Sequence, residues 1–154
     1  MARKMAIDIG RARLGIAISD PSGILASPLD SVKRFAEEYV TVREIIRLVD
    51  DNEIQELYIG DPVSLSGEQT LSTADARSFA SLLQASTAVP VRLIDERLTT
   101  VSAARNLRES GKNARTSKSI IDSASAVVIL ESVLQTERVS GEAAGRTVGD
   151  PLGS

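Results

Sequence analysis

The sequence predicts an α/β domain: a mixed five-stranded sheet, three antiparallel strands plus two parallel ones, with helices on both faces. Three observations predict it. Residues 4–9 and 14–19 are apolar runs joined by a short turn containing Gly10, Arg11 and Arg13, the pattern of a β-hairpin. Apolar runs at 56–60 and 90–96 alternate with stretches of helical period, as parallel strands with crossover helices do. The chain has 154 residues, 42% hydrophobic and 25% charged, enough for one core of ordinary size.

The elements follow in order. A third strand is expected at 23–32, after the turn Asp20-Pro21-Ser22-Gly23. A helix at 35–50 carries Val42, Ile45, Ile46 and Val49 on one face. The strand 56–60 ends at Asp61-Pro62, because a residue before proline is biased away from helix. A loop at 62–69 leads into a helix at 70–84 with Ala76, Phe79, Ala80 and Leu83 facing inward. After the strand 90–96, Thr99 or Thr100 can cap a helix running to 107. Residues 108–118 lack apolar period and read as an exposed loop. The last helix is expected at 119–136, with Ile120, Ala124, Val127 and Leu134 in the core. From 137 to 154 the polar, glycine-punctuated chain reads as a disordered tail, leaving 1–136 as a single domain.

Composition narrows the chemistry. With no histidine and no cysteine, Ser-His-Asp triads, Cys-His dyads, thiolate metal sites and disulfides are excluded. Any metal must be held by oxygen, which points to Mg²⁺ or Mn²⁺ rather than zinc. No apolar run reaches membrane-spanning length, and Asp8 interrupts what would be a signal-peptide core, so a cytoplasmic protein is expected.

Three acids stand where secondary structure changes. Asp8 lies inside an apolar strand, where an ionised carboxylate needs compensation: a metal ion, or backbone hydrogen bonds at a strand end. Glu96 ends the last strand beside Asp95, and the two side chains of an extended pair point to opposite faces. Asp122 opens the last helix, three residues after Ser119, which is also the spacing of a capping box. The small residues Ser123, Ala124, Ser125 and Ala126 permit close approach of that helix to a strand or substrate. Strand ends converge in a sheet of this kind, so Asp8, Glu96 and Asp122 can meet and hold one or two hard cations for phosphodiester hydrolysis.

Together, Ile7-Asp8-Ile9-Gly10 with Arg13-Leu14-Gly15-Ile16-Ala17, Asp95-Glu96-Arg97-Leu98-Thr99-Thr100 and Ile121-Asp122-Ser123-Ala124-Ser125-Ala126 carry a resemblance. Over residues 4–135 the chain resembles the YqgF/RuvX family of bacterial proteins. The resemblance implies a ribonuclease H-like fold and an acidic catalytic triad of Asp8, Glu96 and Asp122. It also implies an Mg²⁺- or Mn²⁺-dependent nuclease. The family looks like Holliday-junction resolvases by fold and is associated with maturation of the 5′ end of pre-16S rRNA. The segment 60–67 departs from the family's usual Gly-Leu-Pro and Asn-containing loop. Here Asp61 replaces the apolar residue and Ser64 the asparagine. Asp61 can serve as a fourth ligand, or cap the loop by accepting backbone N–H groups near Val63 or Ser64.

Between residues 97 and 118 stand six basic side chains (Arg97, Arg105, Arg108, Lys112, Arg115 and Lys118) against the single acid Glu109, a local charge of +5 in a chain of net charge −3. With Arg11 and Arg13 they form the expected substrate-binding set for a nucleic-acid backbone, branched DNA or precursor rRNA. Four aromatic residues are too few for base stacking along a single strand. Resolution of a four-way junction would call for two symmetry-related sites, hence a homodimer, though no dimer face is legible. Two other readings compete. The hairpin also resembles the phosphate-binding turn of sugar kinases and actin-like ATPases, which need a second domain. A non-catalytic nucleic-acid or ribosome-binding adaptor of the same fold is the alternative to a nuclease.

Overall fold

The computed structural model describes residues 2–99 and 118–148. Its sheet has six strands in the order β3-β2-β1-β4-β5-β6: β1 (Lys4–Ile9), β2 (Arg13–Ser19), β3 (Ala26–Lys33), β4 (Glu56–Asp61), β5 (Val91–Asp95) and β6 (Arg146–Thr147). The first three form an antiparallel meander, β4 runs parallel to β1, and β5 parallel to β4. The strand alternation divides the core cleanly. Met5, Ile7, Leu57 and Ile59 face the helices α1 (Glu38–Asp51) and α2 (Leu71–Ser86), meeting Val42, Ile45, Phe79 and Leu83. Ala6, Ala17, Tyr58 and Ile94 face the other way, against Ile129, Leu130 and Val133 of α4 (Ala124–Ser140). The expected α/β architecture, with helices on both faces, is observed.

The differences have local causes. β3 begins at Ala26 rather than residue 23, because the Asp20 carboxylate accepts the backbone N–H groups of Ile24 and Leu25 and the Ser22 hydroxyl. Gly23, at φ +72°, completes that turn. Helix α1 starts at Glu38, not residue 35, since Phe35 donates its N–H to the Thr41 hydroxyl. Helix α2 starts where Thr70 and Thr73 exchange side-chain-to-backbone bonds, a capping box. Strand β5 stops at Asp95, and Glu96–Leu98 form one 3₁₀ turn. The helix expected at 99/100–107 lies outside the described residues.

The last helix is two helices. Ser123 interrupts it between α3 (Lys118–Asp122) and α4, and its hydroxyl donates to the Leu29 carbonyl at 2.7 Å while accepting the Ile16 N–H at 3.0 Å. The β2–β3 register shifts between Leu14 and Ile16, and the serine binds at that shift. Ile120, Ala124 and Val127 are half-buried rather than core, and of the four expected residues Leu134 alone is fully buried.

The expected disordered tail from 137 is corrected as far as Val148. Helix α4 continues to Ser140, capped by Gly141 at φ +75°. The chain then turns back so that Arg146–Thr147 add a sixth, antiparallel strand beside β5. Arg92 secures the turn by donating to the carbonyls of Ala144 (2.6 Å) and Gly145 (2.7 Å). Of the glycines that suggested disorder, Gly141 is a helix cap and Gly145 makes a tight approach to β5. Among the described residues no helix is long and apolar enough to cross a membrane.

Candidate active site

Asp8, on β1, is 4% exposed. Its partner across the antiparallel pair is Gly15 on β2, and the parallel register Ile7↔Ile59 brings Gly60 of β4 alongside it. All three belong to the face covered by α4. The two glycines are required by what lies over them. A Cβ on Gly15 would stand 2.5 Å from the Asp122 carbonyl oxygen and 3.2 Å from the Ser123 Cα. A Cβ on Gly60 would stand 2.7 Å from the Glu96 Oε2 and 2.8 Å from the Ile129 Cδ1. The Asp122 backbone therefore rests on one neighbour of Asp8 and the Glu96 carboxylate on the other. Small Ser123 and Gly15 make that approach possible.

The paired carboxylates at the end of β5 divide as strand geometry requires. Asp95 turns to Arg97, accepting from its backbone N–H (2.9 Å) and its guanidinium (2.6 Å), which holds its carboxyl below the usual range. Glu96 takes the other face, over Gly60. Asp122 closes α3 instead of opening a long helix, and Ser119 binds the Ser31 N–H at 2.8 Å, so the capping-box reading falls away. Arg13 Nε lies 3.8 Å from Asp122 Oδ2.

Asp8 and Asp122 line a cleft of about 550 Å³, together with Gly10, Arg11, Arg13, Asp75 and Lys118. Basic side chains from the β1–β2 turn and the start of α3 thus border the acids. Among the described residues no three acidic or other ligating side chains stand close enough to hold a metal ion. Asp8 and Asp122 share the cleft, Glu96 stands on the same face over Gly60 outside the cleft lining, and the three form no closed ligand set. Their chemistry, carboxylate oxygen without nitrogen or sulfur, suits Mg²⁺ or Mn²⁺, and the glycine cradles let acids from separate elements approach Asp8.

The remaining basic candidates divide. Arg97 lies apart from the cleft, lining a second depression of about 790 Å³ with Asp61, Arg77 and Arg146. Arg105, Arg108, Lys112 and Arg115 lie outside the described residues. The Asp61 carboxylate faces arginines, not the other acids or the N–H groups of its loop. It belongs to the opposite face, where Arg77 on α2 grips both its oxygens (2.9 and 2.8 Å) and Arg146 on β6 reaches one at 3.2 Å. Val63 N–H bonds the Asp61 backbone carbonyl instead of its side chain. Asp75 of the cleft lining and its partner Arg34, which lies outside that lining, carry no sequence signal. They pair across 41 residues, beyond the reach of local pattern.

A family model described as "RuvX: Holliday junction resolvase" matches residues 2–136. A Clavibacter michiganensis relative named "Putative pre-16S rRNA nuclease" is 44% identical over 148 residues, covering 96% of this chain and 92% of the relative. A Rhodococcus erythropolis relative of the same name is 50% identical over 133 residues, covering 84% and 75%. Among solved structures, T. thermophilus RuvC in complex with a Holliday junction substrate superposes with a TM-score of 0.59 at 13% identity, covering 96% of this chain and 99% of that one. That likeness establishes a shared fold, the one the sequence resemblance implied.

Proposed function

The chain belongs to the RuvX family, and from that premise we propose that it is a metal-dependent nuclease hydrolysing phosphodiester bonds in structured nucleic acid. The names of its relatives and the family description supply the two substrates to weigh: the 5′ end of precursor 16S rRNA and the four-way DNA junction. The observation that carries the reading is the setting of Asp8, buried between two glycines with Asp122 over one and Glu96 over the other.

In this reading Asp8, Glu96 and Asp122 hold Mg²⁺ or Mn²⁺, which when bound supplies Lewis-acid polarisation of the phosphate and activation of water. The chain's own side chains do the rest. Arg11, Arg13 and Lys118 bind substrate phosphates at the rim and keep the scissile group over the acids. Arg105, Arg108, Lys112 and Arg115 extend that contact along the backbone in this reading, whereas Arg97 lies apart from the cleft. Burial of Asp8 excludes bulk water and strengthens each charge interaction within the cleft. Junction cleavage would require a homodimer to present two sites, whereas rRNA trimming would not. Action on a ribosomal precursor would place the protein in the cytoplasm.

The test is Asp8→Asn assayed in Mn²⁺ against a four-way junction and a precursor-rRNA fragment side by side. Wild type cleaves at least one. The variant cleaves neither and melts at the wild-type temperature or above, since repulsion among the acids is relieved. Wild-type turnover by the variant would overturn the reading, and binding without cleavage by the wild type would favour the adaptor alternative.

A further inference from the structure

Arg34, between β3 and α1, is a nearly buried arginine held against the β1–β2 turn, its side chain 10% exposed. A guanidinium has five N–H donors, and the geometry uses every one. Nε and one Nη2 hydrogen reach the two oxygens of Glu38, at 3.2 and 2.9 Å. The other Nη2 hydrogen and one from Nη1 reach both oxygens of Asp75, at 2.8 and 2.7 Å. The last Nη1 hydrogen goes to the backbone carbonyl of Gly10, at 3.0 Å. The Arg34 N–H also donates to the Ala12 carbonyl at 2.9 Å. Its plane lies over the Phe79 ring, 5.8 Å from the centroid, in the α2 core.

One side chain therefore ties the β1–β2 turn to α1 and α2. That turn is short and tightly closed: Gly10 N–H bonds the Arg13 carbonyl at 3.0 Å, and a Cβ on Gly10 would lie 2.5 Å from that oxygen. Arg11 and Arg13 project from it, one on each side of Ala12, along the rim of the cleft. Two long, exposed side chains on a hairpin tip contribute little phosphate affinity unless the tip is fixed, because their ordering entropy opposes binding.

We propose that Arg34 is a positioning residue: by clamping Gly10 and Ala12 to Asp75 and Glu38 it holds the turn so that Arg11 and Arg13 engage the phosphate backbone together. The inference rests on the nucleic-acid reading of the cleft. Asp75 is thereby a clamp residue and not a metal ligand, although it lines the same cleft. A lysine cannot replace Arg34, having a single point charge and three donors where five in a planar fork are needed.

The test is a thermodynamic cycle on binding without cleavage, in EDTA, using a four-way DNA junction and a precursor-rRNA hairpin as probes. Arg11→Ala/Arg13→Ala is made in wild-type and Arg34→Lys backgrounds, and Kd is followed against salt well below each variant's melting temperature. In the wild-type background the double change lowers the log–log salt slope by roughly one to two. With Arg34→Lys the slope is already reduced, and the double change removes less than half as much, a non-additive result. Asp75→Asn repeats the experiment should Arg34→Lys fail to fold. Faster hydrogen exchange at the Gly10 amide in either variant accompanies the loss. An unchanged slope in Arg34→Lys, or full additivity, would reduce Arg34 to a structural ion pair and overturn the proposal. No effect of the Arg11/Arg13 change in the wild type would overturn it too. Absence of binding by the wild type would instead remove the nuclease reading, and this proposal with it.

Discussion

Asp8 and Asp61 are the same residue type, both 4% exposed, on adjacent strands at the same end of the sheet. Their surroundings are opposite. Asp61 meets two guanidinium groups, Arg77 gripping both its oxygens and Arg146 one. Asp8 has a glycine on each neighbouring strand, with Glu96 and Asp122 brought over those glycines. Arginines close a carboxylate into a permanent ion pair, whereas glycines make room for other acids to approach it. Equal burial thus accompanies two different settings, an aspartate locked between arginines and one that, in the proposed function, is left open to other acids.

Filling the space beside Asp8 should have the largest effect. Gly15→Ala drives a Cβ against the Asp122 backbone, which cannot rotate aside as a side chain would. The expected cost is about 3 kcal/mol, read by denaturant unfolding, with cleavage lost even where the protein remains folded. Wild-type stability in this variant would mean that the α3–α4 junction does not rest on β2.

A smaller effect is expected on the other side. Asp61→Leu restores an apolar residue but leaves Arg77 and Arg146 without their shared acid. Both arginines are partly exposed and can turn to water, so the loss is about 2 kcal/mol rather than the full penalty of a buried unpaired charge. That corresponds to a fall of roughly 4–8 °C in Tm. A neutral result would show that the Asp61–Arg77–Arg146 ion pairs are dispensable for stability.

The smallest effect is on acid stability. The hydrogen bond from Arg34 holds the Asp75 carboxyl below the ordinary carboxylate range. A carboxylate whose folded pKa is depressed contributes stability that is present above its unfolded value, near pH 4, and lost as the pH falls through the folded value. Asp75→Asn should therefore lower Tm at neutral pH and flatten its decline below about pH 4. Asp75 is substantially exposed, so the neutral-pH difference should be about 2 °C or less. A variant with the wild-type acid limb would remove Asp75 from the linkage.

The meander, the parallel strands and the separation of Asp95 from Glu96 were legible because they rest on period-2 alternation and local turn chemistry. The rest depended on contacts between residues far apart in the chain. Nothing near Asp61 indicates Arg146, 85 residues later, and nothing near Arg34 indicates Asp75. The serine break at Ser123 answers a register shift on β2, which the helix's own pattern does not encode. Gly141 and Gly145 resembled linker composition, yet one is a cap and the other packs on β5. The candidate acids could be named from the sequence, but the glycines that admit them acquire meaning only beside their neighbours in the sheet.

The proposed metal site takes Asp8 and not Asp61, and a calorimetric Mn²⁺ titration of wild type, Asp8→Asn and Asp61→Leu separates the two aspartates. The expected result is binding by the wild type, its loss in Asp8→Asn, and nearly unchanged affinity in Asp61→Leu. Retained Mn²⁺ binding in Asp8→Asn, or a large loss in Asp61→Leu, would contradict it.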